Sequence, residues 1–194
     1  MSRKSELSEV ARSQAGYFTA KQALDSGYSY PNQKHHVEQG NWRRVSRGIF
    51  CFPDWPIDLN DQLAYWSLWS KNRGVVSHES ALGVHELGDS NPAMLQMTLP
   101  RKFQGRVEGV KLFVNELASD EIIDRGSYKV TTPLRSIMDT ASYLGSFTTI
   151  SEAIRDGLDM NMFTMVEIVS GAEKLEAAAS LRIIQAVRDI ENEI

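Results

Sequence analysis

Apolar residues recur at helical spacing early in the chain, alternate at strand spacing near its middle, and return to helical spacing towards the end. Leu7, Val10, Ala11 and Ala15 share one helical face and Gly16 ends the run, which predicts a first helix from about Lys4 to Gln14. After the apolar pair Tyr17-Phe18, the segment Thr19-Ala20-Lys21-Gln22 has the capping-box pattern. In that motif the Thr19 hydroxyl accepts from the Gln22 N–H, and the Gln22 side chain reaches back to the Thr19 N–H. A second, short helix therefore starts at Ala20, buries Ala20, Ala23 and Leu24, and stops before Gly27. Ser29 as N-cap, with Pro31 in the first turn, predicts a third helix that closes at Gly40.

The two short helices flank the tight Ser26-Gly27-Tyr28-Ser29 connection, the layout of a helix-turn-helix. Between Pro31 and Gly40 only Val37 is aliphatic, while Asn32, Gln33, Lys34, His35 and His36 can all donate or accept at base edges or phosphates. Trp42 to Val45 and Ile49 to Phe52 then read as two strands around Ser46-Arg47-Gly48, with Gly48 placed where a hairpin needs a positive φ. A helix-turn-helix followed by a hairpin is a winged helix. Arg43, Arg44 and Arg47 lie on the wing, where guanidinium groups suit phosphates or a narrow minor groove. Thr19, Lys21 and Ser29 complete the candidate DNA contacts. The alternative is a solvated face whose arginines pair with acids, but the only nearby acid is Glu38.

Pro53-Asp54-Trp55-Pro56 interrupts both helix and strand and suggests a boundary between a DNA-binding domain at 1–52 and a second domain at 57–194. In the second part Asp58 is positioned to cap a helix carrying Leu59, Leu63, Trp66 and Trp69, ended by Asn72 and Gly74. Ser77-His78-Glu79-Ser80 reads as the start of a further helix, with Ser77 as its cap. Strands are expected over Met94 to Leu99 and Val110 to Val114. Beyond Thr132-Pro133 the pattern is helical: Leu134 to Leu144, Ser151 to Asp159, then Thr164 onward through Ala177, Ala178 and Ala179. The fold class is α+β, a winged helix followed by an α+β domain with a small sheet and several helices.

Charge sharpens the division. Residues 1 to 50 hold eight Lys and Arg against four acids, a balance of +4, whereas the whole 194-residue chain is at −4, which leaves −8 for the remainder. A polyanion would therefore bind the N-terminal part. The single cysteine, Cys51, excludes an intrachain disulfide and any multi-cysteine metal cluster, and between Phe50 and Phe52 it reads as a small buried hydrophobe. No apolar run approaches the ~20 residues of a membrane span, so a cytoplasmic protein without membrane contact is expected.

Four segments together resemble the AbiEi-type antitoxin and transcriptional-regulator family: Gly16-Tyr17-Phe18-Thr19, Arg44-Val45-Ser46-Arg47-Gly48-Ile49-Phe50, Val76-Ser77-His78-Glu79-Ser80-Ala81-Leu82, and Thr132-Pro133-Leu134-Arg135-Ser136-Ile137-Met138-Asp139. The resemblance implies a winged-helix domain that represses its own operon at promoter inverted repeats in double-stranded DNA. It also implies a C-terminal domain that neutralises a nucleotidyltransferase-like toxin without a stable complex, the type IV arrangement. Ser77, His78, Arg135 and Asp139 are motif positions without an assigned role.

Enzyme chemistry is not indicated. Ser77, His78 and Glu79 are sequence neighbours, which on a helix point about 100° apart rather than converging as a triad. Arg135 and Asp139 have the spacing of an intrahelical ion pair. His35, His36, His78 and His85 lack an HExxH or a cysteine partner, so neither a metal nor a cofactor is expected. The competing readings are a protein-interaction module without specific DNA binding and, behind it, a nucleic-acid-processing enzyme.

Overall fold

Thr19 is both the last residue of a strand and the cap of a helix, and this double use organises the N-terminal end of the chain. In a computed structural model that describes residues 3–56, 61–103, 107–143 and 145–193, helix α1 spans Arg3–Arg12 and strand β1 spans Tyr17–Thr19. Helices α2 (Ala20–Asp25) and α3 (Tyr30–Glu38) follow, then strands β2 (Arg43–Ser46) and β3 (Ile49–Cys51). The capping box forms as the sequence predicts: the Gln22 N–H donates to Thr19 Oγ1 at 3.2 Å and the Thr19 N–H donates to Gln22 Oε1 at 2.8 Å. The Ala20 N–H donates to the Gly48 carbonyl at 2.8 Å, which ties the start of α2 to the wing turn.

The strands form one antiparallel sheet in the order β1-β3-β2, with Phe18 opposite Phe50 and Arg44 opposite Phe50 on the other side. Strand β1 went unread in the sequence because three residues are too few to show a period of two. Phe18 is fully buried and lies at the centre of an aromatic core, 4.9 Å edge-on from Trp42 and 5.1 Å from Phe52 between ring centroids. Gly16 has φ +82°, and a Cβ there would run into the Trp55 ring.

The chain divides into two compact units, residues 1–74 with 124–129, and 75–123 with 130–194. Helix α4 (Asp61–Trp69) belongs to the first, where the prolines at 53 and 56 suggested a boundary ahead of it. Its Tyr65 ring lies 6.0 Å from that of Tyr17, and Leu63, Ala64, Trp66 and Leu68 are buried. The expected cap Asp58 and first apolar position Leu59 lie outside the described residues.

The second unit carries a mixed five-stranded sheet in the order β6-β5-β4-β8-β7, from β4 (Val75–Val76), β5 (Leu95–Leu99), β6 (Val110–Val114), β7 (Ile122–Asp124) and β8 (Lys129–Thr131). Strand β4 pairs antiparallel with β5 and parallel with β8, and β5 pairs parallel with β6 in the register Leu95 to Val110. Helix α5 (His78–Val84) follows β4 directly, and α6 (Pro133–Ser142) follows β8 directly, so the two sequence motifs sit at the ends of two adjacent parallel strands. Helices α7 (Phe147–Asp159), α8 (Met165–Ala172) and α9 (Ala177–Glu193) complete the unit around Leu82, Ile137, Ile150, Ile154, Ile168 and Ile183, all fully buried.

Side-chain caps set these helices. Thr132 accepts from the Arg135 N–H, Ser146 from the Thr149 N–H and Thr164 from the Glu167 N–H. The Ser146 cap begins α7 four residues before the expected Ser151. The run expected as one helix from Thr164 is two helices, broken ahead of the alanine-rich start of α9.

Candidate functional site

On α3 the polar residues separate by face. Asn32, Lys34 and His35 are exposed, as are Ser29 and Tyr30 at the helix start. Gln33 is the correction: it is only 3% exposed, and its Nε2 donates to the carbonyls of Ala20 at 3.0 Å and Tyr28 at 2.9 Å. Its amide is spent holding α3 against α2 and its connection, which removes it from any outward contact. His36 also turns inward, its ring stacked on Trp42 at 4.8 Å and 15° and edge-on to Tyr28 at 5.2 Å. Burial, followed by the neighbouring His35, pushes the His36 pKa below the usual imidazole range. Lys34 Nζ is 3.6 Å from Glu38, an exposed i,i+4 pair that is energetically weak. Tyr30 was missed in the sequence; it is 66% exposed at the first position of α3.

Of the remaining candidates, Thr19 is half-buried with its hydroxyl committed to the capping box, and Lys21 is exposed on α2. Ser29 occupies the N-cap of α3, but its hydroxyl makes no capping hydrogen bond. Arg43, Arg44 and Arg47 are all exposed, and Gly48 has the positive φ expected of the hairpin, +77°. Neighbouring strand residues project to opposite faces, so Arg43 and Arg44 serve different sides of the ribbon. Arg43 Nε donates to Cys51 Sγ at 3.2 Å, across the paired positions of β2 and β3, and Cys51 is buried as expected. Among the described residues, no carboxylate lies within 4.0 Å of Arg44 or Arg47.

The motif residues of the second unit come together around a separate cavity. Ser77 is buried at the N-cap position of α5, yet its hydroxyl does not cap the helix. Instead Thr98 Oγ1 donates to Ser77 Oγ at 2.8 Å, and Ser77 Oγ lies 2.9 Å from His78 Nδ1. His78 has φ +56°, a left-handed backbone costing a non-glycine residue on the order of 1–3 kcal/mol. Its ring stacks on Phe113 at 3.6 Å and 17°, with Tyr143 edge-on at 6.0 Å. Burial, then the positive charges of Arg135 and Lys111, lower the His78 pKa to about 4, which keeps the imidazole neutral.

Arg135 holds two acids at once: Nε donates to Asp139 Oδ1 at 2.8 Å and Nη1 donates to Glu121 Oε1 at 2.6 Å. The intrahelical pair expected from spacing is present, and Glu121, unremarked in the sequence, extends it. Burial raises the Asp139 pKa against the pull of Arg135, and its buried Oδ2 has no hydrogen-bond partner among the described residues. For Glu121, burial is outweighed by the Ala118 N–H and the Arg135 guanidinium, which together lower its pKa. His78, Arg135, Asp139 and Glu121 all line a cavity of about 660 Å³.

Among the described residues there is no group of three or more His, Cys, Asp or Glu placed to hold a metal ion, and no helix is long and apolar enough to cross a membrane. The sequence has no match among curated proteins. One solved structure, the RV2827C protein from Mycobacterium tuberculosis, is similar in fold with a TM-score of 0.62 at 13% identity, covering 97% of this chain and 77% of that one. A family model described as "Transcriptional regulator, AbiEi antitoxin" matches residues 5–53, the segment from α1 through the wing. The likeness to that family therefore covers about a quarter of the chain, its N-terminal segment.

Proposed function

We propose that the protein is a DNA-binding repressor of its own operon, with α3 in a major groove and the wing on the flanking backbone or minor groove. The observation that carries this reading is the joint exposure of Asn32, Lys34 and His35 on α3 and of Arg44 and Arg47 on the wing. Asn32 suits bidentate contact with adenine, whereas Lys34 and His35 suit guanine edges or phosphates. Arg44 and Arg47 neutralise phosphates or enter the minor groove, and Lys21 adds a backbone contact from α2. The DNA-binding module lies within residues 1–52, and the AbiEi-like C-terminal domain begins after helix α4, which belongs to the first compact unit. Two subunits reading an inverted repeat fit the usual geometry of such modules. The family-model match over residues 5–53 supports the further reading that the protein is the antitoxin of a nucleotidyltransferase-like toxin, acting without a stable complex, in the cytoplasm and without enzymatic turnover.

An electrophoretic mobility shift with duplex DNA from upstream of the gene tests the repressor reading. A shift at low salt that resists excess unrelated duplex is expected. Absence of any shift overturns the reading and leaves a protein-interaction module. Co-expression with the adjacent reading frame, scored for restored growth, tests the antitoxin reading separately.

A further inference from the structure

The second unit brings three stability-costing features to one place: a left-handed histidine backbone, a half-buried guanidinium between two acids, and a buried carboxylate oxygen with no hydrogen-bond partner among the described residues. Buried charge is an inefficient way to hold a fold together, because well-packed apolar residues do as well or better. Backbone strain and perturbed titratable groups gathered at a cavity mark a functional site. The four groups come from three separated segments, around His78, Glu121 and Arg135, and all face the same space of about 660 Å³. That volume lies within the range of small-molecule sites.

The lining defines what would fit. Part of the lining is apolar and aromatic, from Leu134, Met138, Leu175 and the half-exposed Tyr143, whose ring meets Phe113 edge-on at 4.7 Å. The rest is polar with hydrogen-bonding groups of both kinds, from Thr132 and Asn115 to the Glu121–Arg135–Asp139 chain. The charged side chains on the lining are Arg135 and Lys174 against Asp120, Glu121 and Asp139, which is no excess of positive charge to draw a phosphate or carboxylate, and Arg135 is already paired twice. We propose that this cavity binds a neutral, planar heteroaromatic molecule of nucleoside size, its ring against Tyr143 and its donors and acceptors on the polar lining around Arg135. This site is independent of the DNA-binding reading, since none of its residues lies in the winged helix.

The test titrates the full-length protein with adenosine, guanosine, cytidine and uridine, followed by saturation-transfer NMR and tyrosine fluorescence, with ribose as the non-aromatic control. Saturable binding of at least one nucleoside with Kd below about 1 mM is expected. Leu175→Trp, which fills the cavity, and Tyr143→Ala, which strips the aromatic ring from an exposed position, should each weaken that binding about tenfold or more. Arg47→Ala, on the wing, should leave it unchanged, which separates this site from a nucleic-acid surface. No saturable binding of any nucleoside overturns the proposal. So does equal binding by Tyr143→Ala with an unchanged circular dichroism spectrum, or equal occupancy by ribose.

Discussion

His78 joins a buried, neutral ring to a left-handed backbone, and each property has a measurable consequence. In the unfolded chain an imidazole titrates near 6.5, whereas in the folded protein the His78 pKa falls to about 4. Between those values the unfolded chain binds the proton and the folded protein does not, so stability falls as pH drops through this window. The contribution is complete above about pH 6.5 and declines by about 3 kcal/mol towards pH 4. Urea unfolding at pH 7 and pH 5 should therefore differ more in the wild type than in His78→Asn, a residue that tolerates a left-handed φ but does not titrate; equal differences would contradict the burial argument. Gly16 is the second informative residue. Its φ of +82° and the Trp55 ring in the path of a Cβ predict that Gly16→Ala loses about 2 kcal/mol or more in the same assay, and a neutral result would show that Trp55 moves freely aside.

At the scale of elements, α3 has two jobs divided by its faces. Gln33 and His36 fasten it to α2 and Trp42, while Asn32, Lys34 and His35 face solvent. Gln33→Ala should cost about 1–2 kcal/mol of stability and reduce DNA binding only in proportion to the folded fraction. Asn32→Ala should stay within about 0.5 kcal/mol in stability yet lose discrimination at one base pair. Thermal unfolding alongside binding to a set of single-site operator variants separates the two, and identical behaviour of both variants would dissolve the division. Composition alone made all five polar residues of this helix equivalent. The helix itself, its Pro31 start and the capping box before α2 were legible because they depend on neighbours in sequence. Which amide turned inward was not, because it depends on the carbonyl of Ala20, thirteen residues away.

Across the whole molecule, charge is segregated: +4 over the first fifty residues and −8 over the rest. If five to eight phosphates are neutralised per bound subunit, log K should fall against log salt with a slope of roughly −5 to −7. Arg47→Ala should flatten that slope by about one unit and weaken all sequences alike; an unchanged slope would remove Arg47 from the interface. The winged helix, the α+β class, the strand at Val110–Val114 and the pairing of Arg135 with Asp139 were all determined by local pattern, since caps, turn glycines and i,i+4 spacing act over a few residues. The three-residue strands β1, β7 and β8 were not, because they exist only through their partners. The convergence of His78, Glu121 and Arg135 on one cavity was likewise decided by tertiary structure. The parallel pairing of β4 with β8 places the starts of α5 and α6 at neighbouring strand ends, and no spacing within the sequence encodes that adjacency.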